Sequence, residues 1–439
     1  MRMLPRLVAA AAFAALAAPL HGQQLSPQEQ ALAAWADAHA DEATALLERL
    51  VEINSGTMNH EGVRAVGDVL RAELDALGFT TEWIPMGEVN RAGHLFARRD
   101  GDRGKKLLLI GHLDTVFEKD DPFQGFTLLD DGWAKGPGID DMKSGDVVIV
   151  YALKALAEAG LLDGSQVTVA FTGDEESPGE PLSVSRRDLV DAGKWADIAL
   201  GFEGGVRDEE AEWATIARRS STEWLLEVEG RQAHSSGIFG EDTGAGAIFE
   251  AARILAAFYD QVRGEEYLTF NAGSILGGTE VTYDREQTRG SAFGKTNVVP
   301  NRVVVHGGMR TISEDQTRRA REAMQAVVAR HLPVTSARIT FTDGYPAMAP
   351  TDGNRRLQGI LSDVNVGLGR APMPVLDPGR RGAADISFVA ADTDGLAGLG
   401  AYGEGGHTPD ERLELSSLTL AIQRAAILIH RLIQEAPIS

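Results

Sequence analysis

The stretch VTVAFTGDEESPGE, residues Val167–Glu180, contributes most to the prediction of the fold. Its first part, Val167–Phe171, is a short apolar run of β-branched and aromatic residues, which is typical of a strand buried on both faces. Three carboxylates, those of Asp174, Glu175 and Glu176, follow that strand directly. Because neighbouring like charges repel, this turn is either an acidic loop in solvent or a place where a cation offsets the charge.

Buried strands and helices alternate on both sides of this stretch. Lys106–Gly111 (KLLLIG) is a largely apolar run, and apolar spacings of three and four residues predict helices over Glu29–Val51, Glu61–Leu77 and Asp146–Ala159. Such alternation is typical of a mostly parallel sheet with helices packed on it. We therefore predict a three-layer α/β domain.

The pattern changes after residue 217. Thr222–Glu229 alternates with a period of two, and helices are predicted over Thr243–Arg263 and Glu314–His331 between further strands. These features predict a small α+β sandwich inserted into the α/β domain, whose own pattern returns at about Arg338. The predicted boundaries assign residues 23–217 and 334–439 to the α/β domain and residues 218–333 to the insertion.

Composition restricts the partners and the chemistry. The chain has 439 residues, which is long enough for two domains, and its formal net charge of −22 argues against nucleic acids or anionic membranes as partners. It contains no cysteine. Disulfides and thiolate metal sites are thus excluded, and any metal ion must be held by histidine and carboxylate ligands.

Residues 1–22 have the pattern of a signal peptide. Arg2 and Arg6 precede an apolar stretch, Leu7–Leu20, that is short for a membrane span. We expect export to the periplasm or the medium, with no membrane segment left after the signal is removed. An uncleaved anchor is the alternative interpretation.

Polar side chains also follow other predicted strands. His112 and Asp114 are two residues apart after Lys106–Gly111, so in an extended chain they face one side, where the carboxylate can orient the imidazole. Glu203 follows a further strand, and His407 lies among glycines ahead of the last helix. Each such residue alone is more often structural. Because ligands of open α/β sheets bind at the carboxyl ends of the strands, together they are candidates for one site.

Seven motifs occur in a fixed order: GHLDTV, GPGIDDMKSG, TGDEES, GFEGG, GRQAHSSG, TNVVPNR and GEGGHT. In that order they resemble the motifs of the zinc peptidase family that contains bacterial glutamate carboxypeptidase, aminoacylases and succinyl-diaminopimelate desuccinylase. The resemblance extends from about Ala43 to the C-terminus. It implies that the α/β domain is catalytic and binds zinc, and that the insertion is a lid or dimerisation domain.

The resemblance also implies a set of metal ligands. His112 and Glu203 would bind one Zn²⁺, Glu176 and His407 the other, and Asp141 would bridge the two, with Co²⁺ or Mn²⁺ as alternative metals. In the family the bridging residue precedes a cis peptide bond, which corresponds here to the bond between Asp141 and the following methionine. Two nitrogen- and oxygen-ligated cations with a shared carboxylate are a common arrangement in hydrolytic enzymes.

Catalytic roles follow from the same resemblance. Glu175 would be the general base that acts on a metal-bridging water, and Asp114 would support His112. His234 in GRQAHSSG resembles the histidine that reaches across a dimer to the oxyanion of the tetrahedral intermediate. A turn histidine that caps a helix is the structural alternative for His234. Asp174 is expected to be structural.

Substrate contacts are implied at several further positions. Asn297 in TNVVPNR and Arg310 resemble residues that bind the substrate, and arginine is suited to gripping a carboxylate. Arg380 and Arg381, in the segment GRRGAADISF, and Gly405, in GEGGHT, are further candidates. The two arginines depart from the glycine-rich loop of the family. They are either contacts for an anionic substrate or surface charges, and a surface salt bridge is likewise the alternative for Arg310.

The resemblance favours one activity and leaves two others open. A glutamate-carboxypeptidase-like exopeptidase is the first choice, because Glu203 stands where aminopeptidases of the family tend to have aspartate. An N-acyl-amino-acid deacylase with the same mechanism is the alternative, and a non-catalytic metal-binding scaffold is a distant third. The expected partners are a small peptide or N-acyl amino acid and a second copy of the chain, bound through the inserted domain.

Overall fold

The computed structural model describes residues 24–209, 211–285 and 287–436. The predicted signal peptide, residues 1–22, lies outside the described residues. The helices are α1 (Pro27–Ala38), α2 (Ala40–Val51), α3 (His60–Ala76), α4 (Ser144–Glu158), α5 (Leu182–Ser185), α6 (Arg187–Trp195), α7 (Gly246–Gln261), α8 (Glu314–Val328), α9 (Asp352–Gly367) and α10 (Leu415–Gln434). None of the described helices combines the length and apolar character needed to cross a membrane.

The strands belong to one large sheet, a second four-stranded sheet and several small ribbons. In chain order they are β1 (Thr80–Pro85), β2 (Gly93–Arg99), β3 (Arg103–His112), β4 (Thr127–Leu128), β5 (Trp133–Lys135), β6 (Ser165–Thr172), β7 (Ile198–Gly201), β8 (Val206–Arg207), β9 (Glu212–Trp213), β10 (Thr222–Gly230), β11 (Thr269–Gly278), β12 (Glu280–Asp284), β13 (Arg289–Phe293), β14 (Arg302–Arg310), β15 (Thr335–Asp343), β16 (Asp394–Leu396), β17 (Gly403–Glu404) and β18 (Arg412–Glu414).

The large sheet has the order β1-β2-β6-β3-β7-β16. Strands β6, β3, β7 and β16 pair in parallel, and β1 and β2 are antiparallel at one edge. The apolar run of β3 shows why helices lie on both faces. Leu107 and Leu109 pack into a core with helices α1–α4, α9 and α10, whereas Leu108 and Ile110 pack against α6 and residues 384–389. The predicted three-layer α/β domain with a mostly parallel sheet is confirmed.

The second sheet is antiparallel, with the order β11-β14-β10-β15. Alternate side chains of β10, those of Trp224, Leu226 and Val228, are buried in a core with helices α7 and α8. The intervening residues of β10 face away from that core. This arrangement is the predicted α+β sandwich, and the period of two in the sequence arises because only one face of the sheet is covered by helices.

One predicted boundary is wrong. The boundary at residue 334 placed Thr335–Asp343 in the α/β domain, but this strand, β15, pairs with β10 from Thr335↔Gly230 to Asp343↔Thr222. It therefore completes the second sheet. The two chain crossings between the sheets lie side by side, since Arg218 and Met348 form a backbone bridge.

The large sheet brings the ends of its central strands to one level. His112 of β3 is in register with Thr172 of β6, and Ile110 of β3 is in register with Gly201 of β7. The segments that follow these strands, which contain Asp114, the acidic run after Thr172 and Glu203, therefore emerge at the same edge.

Candidate metal centre

Two histidines and one aspartate form the middle of the site. His112, the last residue of β3, is buried, and its Nε2 lies 3.2 Å from Oδ1 of Asp141. Nε2 of His407 lies 3.1 Å from Oδ2 of the same carboxylate. Each oxygen of Asp141 thus faces a different imidazole. This is the arrangement expected of a carboxylate shared between two cation positions.

The acidic run after β6 supplies the remaining donors. Oε2 of Glu176 lies 3.3 Å from Nε2 of His407, and Oε1 of Glu176 is buried without a hydrogen-bond partner among the described residues. In each of two groups, three possible ligand atoms lie within 4.8 Å of one another. The first group comes from His112, Glu175 and Glu176, and the second from Asp141, Glu176 and His407. The two groups share Glu176, so they form one continuous cluster.

Asp114 holds two parts of the site together. Its Oδ1 lies 3.5 Å from Nδ1 of His112, and its carboxylate accepts the backbone N–H groups of Glu175 at 2.9 Å and Glu176 at 3.1 Å. The hydroxyl of Thr57 donates to it at 2.6 Å. Nδ1 of His112 also lies 3.1 Å from the backbone carbonyl of Asp114, so this one residue orients the imidazole and fixes the backbone of the acidic run.

Glu411 shapes the turn that carries Asp141. Its carboxylate accepts the backbone N–H groups of Gly138 at 3.0 Å, Asp140 at 2.8 Å and Asp141 at 3.0 Å. Burial raises the pKa of Glu411 to about 7, although these donors oppose the shift. The peptide bond between Asp141 and Met142 is cis, as predicted. Sequence reasoning missed Glu411, because a single glutamate in a polar loop gives no signal of this role.

The titratable groups show an excess of negative charge. Contacts with Asp141 and Glu176 raise the pKa of His407 to about 11. Burial disfavours the charged form of His112, but its contacts with Asp114 and Asp141 outweigh that effect and raise its pKa well above the ordinary value. Burial raises the pKa of Glu175 well above its usual range, with the charge of Glu203 adding to the effect and that of His112 opposing it. A site that pulls protons so strongly onto its imidazoles is electrostatically prepared for cations.

The donors fit zinc or a similar divalent ion. They are imidazole nitrogens and carboxylate oxygens that converge from four separate segments of the chain. Zinc sites without cysteine use this donor set. Oε1 of Glu176, which is buried without a hydrogen-bond partner among the described residues, is available as a further ligand atom.

Glu203 lies nearby but has other partners. It lines a small cavity together with His112, yet its Oε2 accepts from Nη1 of Arg218 at 2.5 Å and lies 3.5 Å from Nη2 of Arg381. It is in neither of the two ligand groups. The structure thus brings together four of the five predicted metal ligands and holds Glu203 against arginine. Sequence reasoning did not consider Arg218, which lies outside the motifs that we identified.

The predicted residues of the second domain are in neither of the two ligand groups. His234 is exposed, and its Nδ1 is 2.8 Å from the hydroxyl of Ser236. Asn297 is adjacent, because its carbonyl accepts the backbone N–H of Ser235 at 3.0 Å. Neither belongs to the ligand groups. Arg310 ends β14, and its Nη1 lies 3.7 Å from the position that a Cβ would take on Gly382.

Two further candidates occupy the edge of the site. Arg380 is 46% exposed and pairs with Asp208 at 2.9 Å, which agrees with its interpretation as a surface charge. Gly405 has a φ of +74° two residues before His407, so it permits the left-handed turn that leads to that histidine.

A buried ionic network supports the acidic run from behind. Arg186 donates to Asp174 at 2.6 Å and to Asp385 at 2.8 Å, and it also donates to the hydroxyl of Tyr345 at 2.8 Å. That hydroxyl donates to the carbonyl of Glu175 at 2.8 Å. Asp174 is therefore structural, as predicted. Sequence reasoning missed Arg186, which follows Asp174 by 12 residues but lies outside the motif, and Tyr345, which is 170 residues from Glu175 in the chain.

Comparison with known proteins agrees with this arrangement. The sequence model of a family described as "Peptidase family M20/M25/M40" matches residues 108–431. Carboxypeptidase G2 from Pseudomonas sp. (strain RS-16) is 28% identical over 313 residues, which cover 71% of this chain and 70% of that protein. The succinyl-diaminopimelate desuccinylase of Gluconacetobacter diazotrophicus is 28% identical over 402 residues, which cover 89% of this chain and 97% of that enzyme.

Solved structures show the same fold. The aminopeptidase PepT of Bacillus cereus aligns with a TM-score of 0.69 at 19% identity, covering 90% of this chain and 98% of that one. An M20 family metallo-carboxypeptidase from Sulfolobus solfataricus aligns with a TM-score of 0.63 at 16% identity, covering 90% and 99% of the two chains. At these identities the likeness establishes the architecture of the molecule.

Proposed function

The chain belongs to the peptidase family M20/M25/M40 and is a hydrolase of the metallopeptidase and amidohydrolase type, and from that premise we propose that it cleaves small peptides or N-acyl amino acids at a centre of two zinc ions. The observation that carries this proposal is that His112, Glu176 and His407 converge around the carboxylate of Asp141. Glu175 lies beside them. In this proposal Glu203 is the fifth ligand, released from Arg218.

Each residue has a defined part in the reaction. When bound, two such cations acidify a water molecule and polarise the scissile carbonyl. Glu175 takes a proton from the attacking water and passes it to the leaving nitrogen, a role for which a raised pKa is suited. Asp114 keeps His112 and the backbone of Glu175 in place throughout.

A glutamate-carboxypeptidase-like exopeptidase is the preferred activity. The similarity to carboxypeptidase G2 supports it. The alternative is an N-acyl-amino-acid deacylase, which is supported by the similarity over almost the whole length of a succinyl-diaminopimelate desuccinylase. Both reactions hydrolyse an amide next to an amino acid, and they differ in the group on the acyl side.

A panel of amides tests the function. Dipeptides that end in glutamate and N-acyl glutamates should be assayed with and without a chelator, and the metal content should be measured by elemental analysis. We expect two zinc equivalents per chain and hydrolysis that chelation abolishes and added metal restores. Preference for the dipeptides would support the carboxypeptidase, and preference for the N-acyl substrates the deacylase. Hydrolysis of none of them, or hydrolysis indifferent to chelation, would contradict the proposal and favour a non-catalytic scaffold.

We further propose that the chain forms a homodimer through the second domain. Strand β11 lies at an edge of the four-stranded sheet, where its backbone can pair with another strand. Ile248 of α7, Ile275 of β11 and Phe293 of β13 are exposed apolar residues of this domain. His234 is exposed on this domain and belongs to neither ligand group of its own chain, which is compatible with a role across a dimer interface.

Export is also a proposal. It rests on the basic start and apolar run of residues 1–22. Expression of the full chain in a bacterial host, followed by fractionation and N-terminal sequencing, tests it. We expect the mature protein to begin near residue 23, and an intact N-terminus on a cytoplasmic protein would contradict export.

A further inference from the structure

A cavity lined by four arginines lies beside the metal centre. It has a volume of about 390 Å³, and Arg207, Arg218, Arg380 and Arg381 line it together with the carboxylates of Asp140, Asp141 and Glu203. The chain as a whole carries a net charge of −22. In a chain with this net charge, four guanidinium groups in one cavity indicate a place where an anion can bind.

Two of the four arginines are neutralised by partners of their own. Arg380 pairs with Asp208 at 2.9 Å, and Arg207 pairs with Glu414 and lies over the ring of Tyr402 at 4.0 Å. Both arginines are at the rim of the cavity, where the carboxylates of Asp208 and Glu414 neutralise their positive charge.

The two inner arginines share a single carboxylate. Arg218 is 6% exposed and Arg381 is 18% exposed, and both contact Oε2 of Glu203, at 2.5 and 3.5 Å. Arg218 also donates to the carbonyl of Gly382 at 2.7 Å, and Arg381 donates to that of Gly204 at 3.3 Å. The Nε of Arg381 is buried without a hydrogen-bond partner among the described residues.

Metal binding increases this imbalance. Asp141 lies between His112 and His407, and Glu203 is the fifth ligand in the proposed function. Asp140 then remains as the only carboxylate among the lining residues that is not a proposed ligand, and its Oδ1 is buried without a hydrogen-bond partner among the described residues. A buried guanidinium is stable only with an anion or with full hydrogen bonding. The two inner arginines therefore need one more carboxylate, and the cavity has room for it.

We infer that Arg218 and Arg381 form a subsite for a carboxylate of the substrate, so that the substrates are amides with two carboxylates. This inference rests on the proposed function. The first carboxylate is that of the amino acid, for which Arg310 is the candidate from the second domain, close to Gly382. The second carboxylate belongs either to the acyl group or to the side chain of the amino acid.

Three matched substrates distinguish these sources. N-succinyl-L-norvaline carries the second carboxylate on the acyl group, N-butyryl-L-glutamate carries it on the side chain, and N-butyryl-L-norvaline lacks it. We expect the wild type to prefer one of the first two over the third by about 10- to 100-fold in kcat/KM, the effect of a charge-assisted contact. In Arg381→Gln that ratio should fall close to one, and Arg381→Lys should restore part of it. Arg64→Gln, which removes an exposed arginine paired with Asp68 on α3, is the matched control.

Ligand binding separates this inference from the proposed function. Glutarate titrated calorimetrically into wild type and Arg381→Gln of equal metal content should bind the wild type at least tenfold more tightly. If no substrate is cleaved, the proposed function fails, and the glutarate titration still tests the subsite. Equal glutarate affinity of the two proteins, or an unchanged substrate ratio in Arg381→Gln, would overturn the subsite. Circular dichroism of Arg381→Gln and Arg381→Lys establishes that each is folded.

Discussion

At the scale of single residues, the proposed function assigns proton transfer to Glu175 and metal binding to its neighbours. Replacing Glu175 by glutamine keeps the shape and removes the base. We expect Glu175→Gln to retain its metal and to lose about 10²- to 10⁴-fold in kcat, the usual contribution of a general base. The measurements are steady-state kinetics and elemental analysis of the same preparation. Turnover close to that of the wild type would refute the assignment.

Asp114→Asn provides the contrasting variant. It removes the charge that helps to orient His112, and it leaves only one of the two side-chain oxygens that accept the backbone N–H groups of Glu175 and Glu176. We expect metal affinity to fall about 10- to 100-fold, as for other residues that support a ligand. Competition with a chelator of known affinity measures this change. Asp68→Asn on the surface of α3 should leave the affinity as it is.

Residues that follow buried strands were predictable, and residues that act from a distance were not. His112, Asp114, Glu175 and Glu176 stand directly after apolar runs, so the order of the sequence itself places them at the sheet edge. Glu411 accepts N–H groups of a turn that lies about 270 residues away in the chain. No local pattern encodes such a contact, because it exists only when the fold has closed.

At the scale of elements, Glu250 connects α7 to the segment after α8. Its buried carboxylate accepts from Arg253 at 2.6 and 3.0 Å and from the backbone N–H of Leu332 at 3.0 Å. Burial alone would raise the pKa of Glu250, but these donors outweigh it and lower the pKa below the ordinary 4.5. The unfolded chain then binds more protons than the native one at acidic pH. This contribution to stability is therefore complete above about pH 4.5 and is lost as the pH falls through the lower native pKa.

Glu250→Gln tests this linkage. We expect a loss of about 1–3 kcal/mol in the free energy of unfolding at pH 7, because a buried charge-assisted contact is removed. The fall in stability between about pH 6 and pH 3 should become shallower than in the wild type. Urea denaturation at a series of pH values measures both effects. Parallel pH profiles for the two proteins would show that Glu250 does not contribute as proposed.

Element boundaries show where the sequence pattern stops being informative. The single helix predicted over Glu29–Val51 is two helices, α1 and α2, separated at His39 with φ −112° and ψ 17°. Neither glycine nor proline marks this break, and apolar spacing continues across it. Strand β15 was assigned to the wrong sheet for a related reason, since a strand pattern does not identify the strand with which it pairs.

At the scale of the whole molecule, the change of period along the chain was sufficient to predict two domains. Strands buried on both faces alternate with helices in the first, and strands buried on one face make up the second. The crossing between the sheets at Arg218 and Met348 could not be predicted, although it brings Arg218 into contact with Glu203 beside the candidate metal centre. The point at which the second domain is inserted thus determines that Arg218 lies next to Glu203.

The proposed dimer is the property of the whole molecule that a single substitution can test. Phe249 of α7 is 53% exposed and contacts the ring of Phe239 at a centroid distance of 5.5 Å, on the domain that carries the edge strand β11. We expect the wild type to sediment as a dimer and Phe249→Glu as a monomer, because burial of two carboxylates related by a two-fold axis costs more than the contact provides. Leu128→Glu, at an exposed apolar position on β4 (65% exposed), should remain dimeric. If His234 acts across the interface, the monomeric variant loses kcat while its metal content stays unchanged. A monomeric wild type at micromolar concentration, or a fully active monomeric variant, would show that each chain completes its own site.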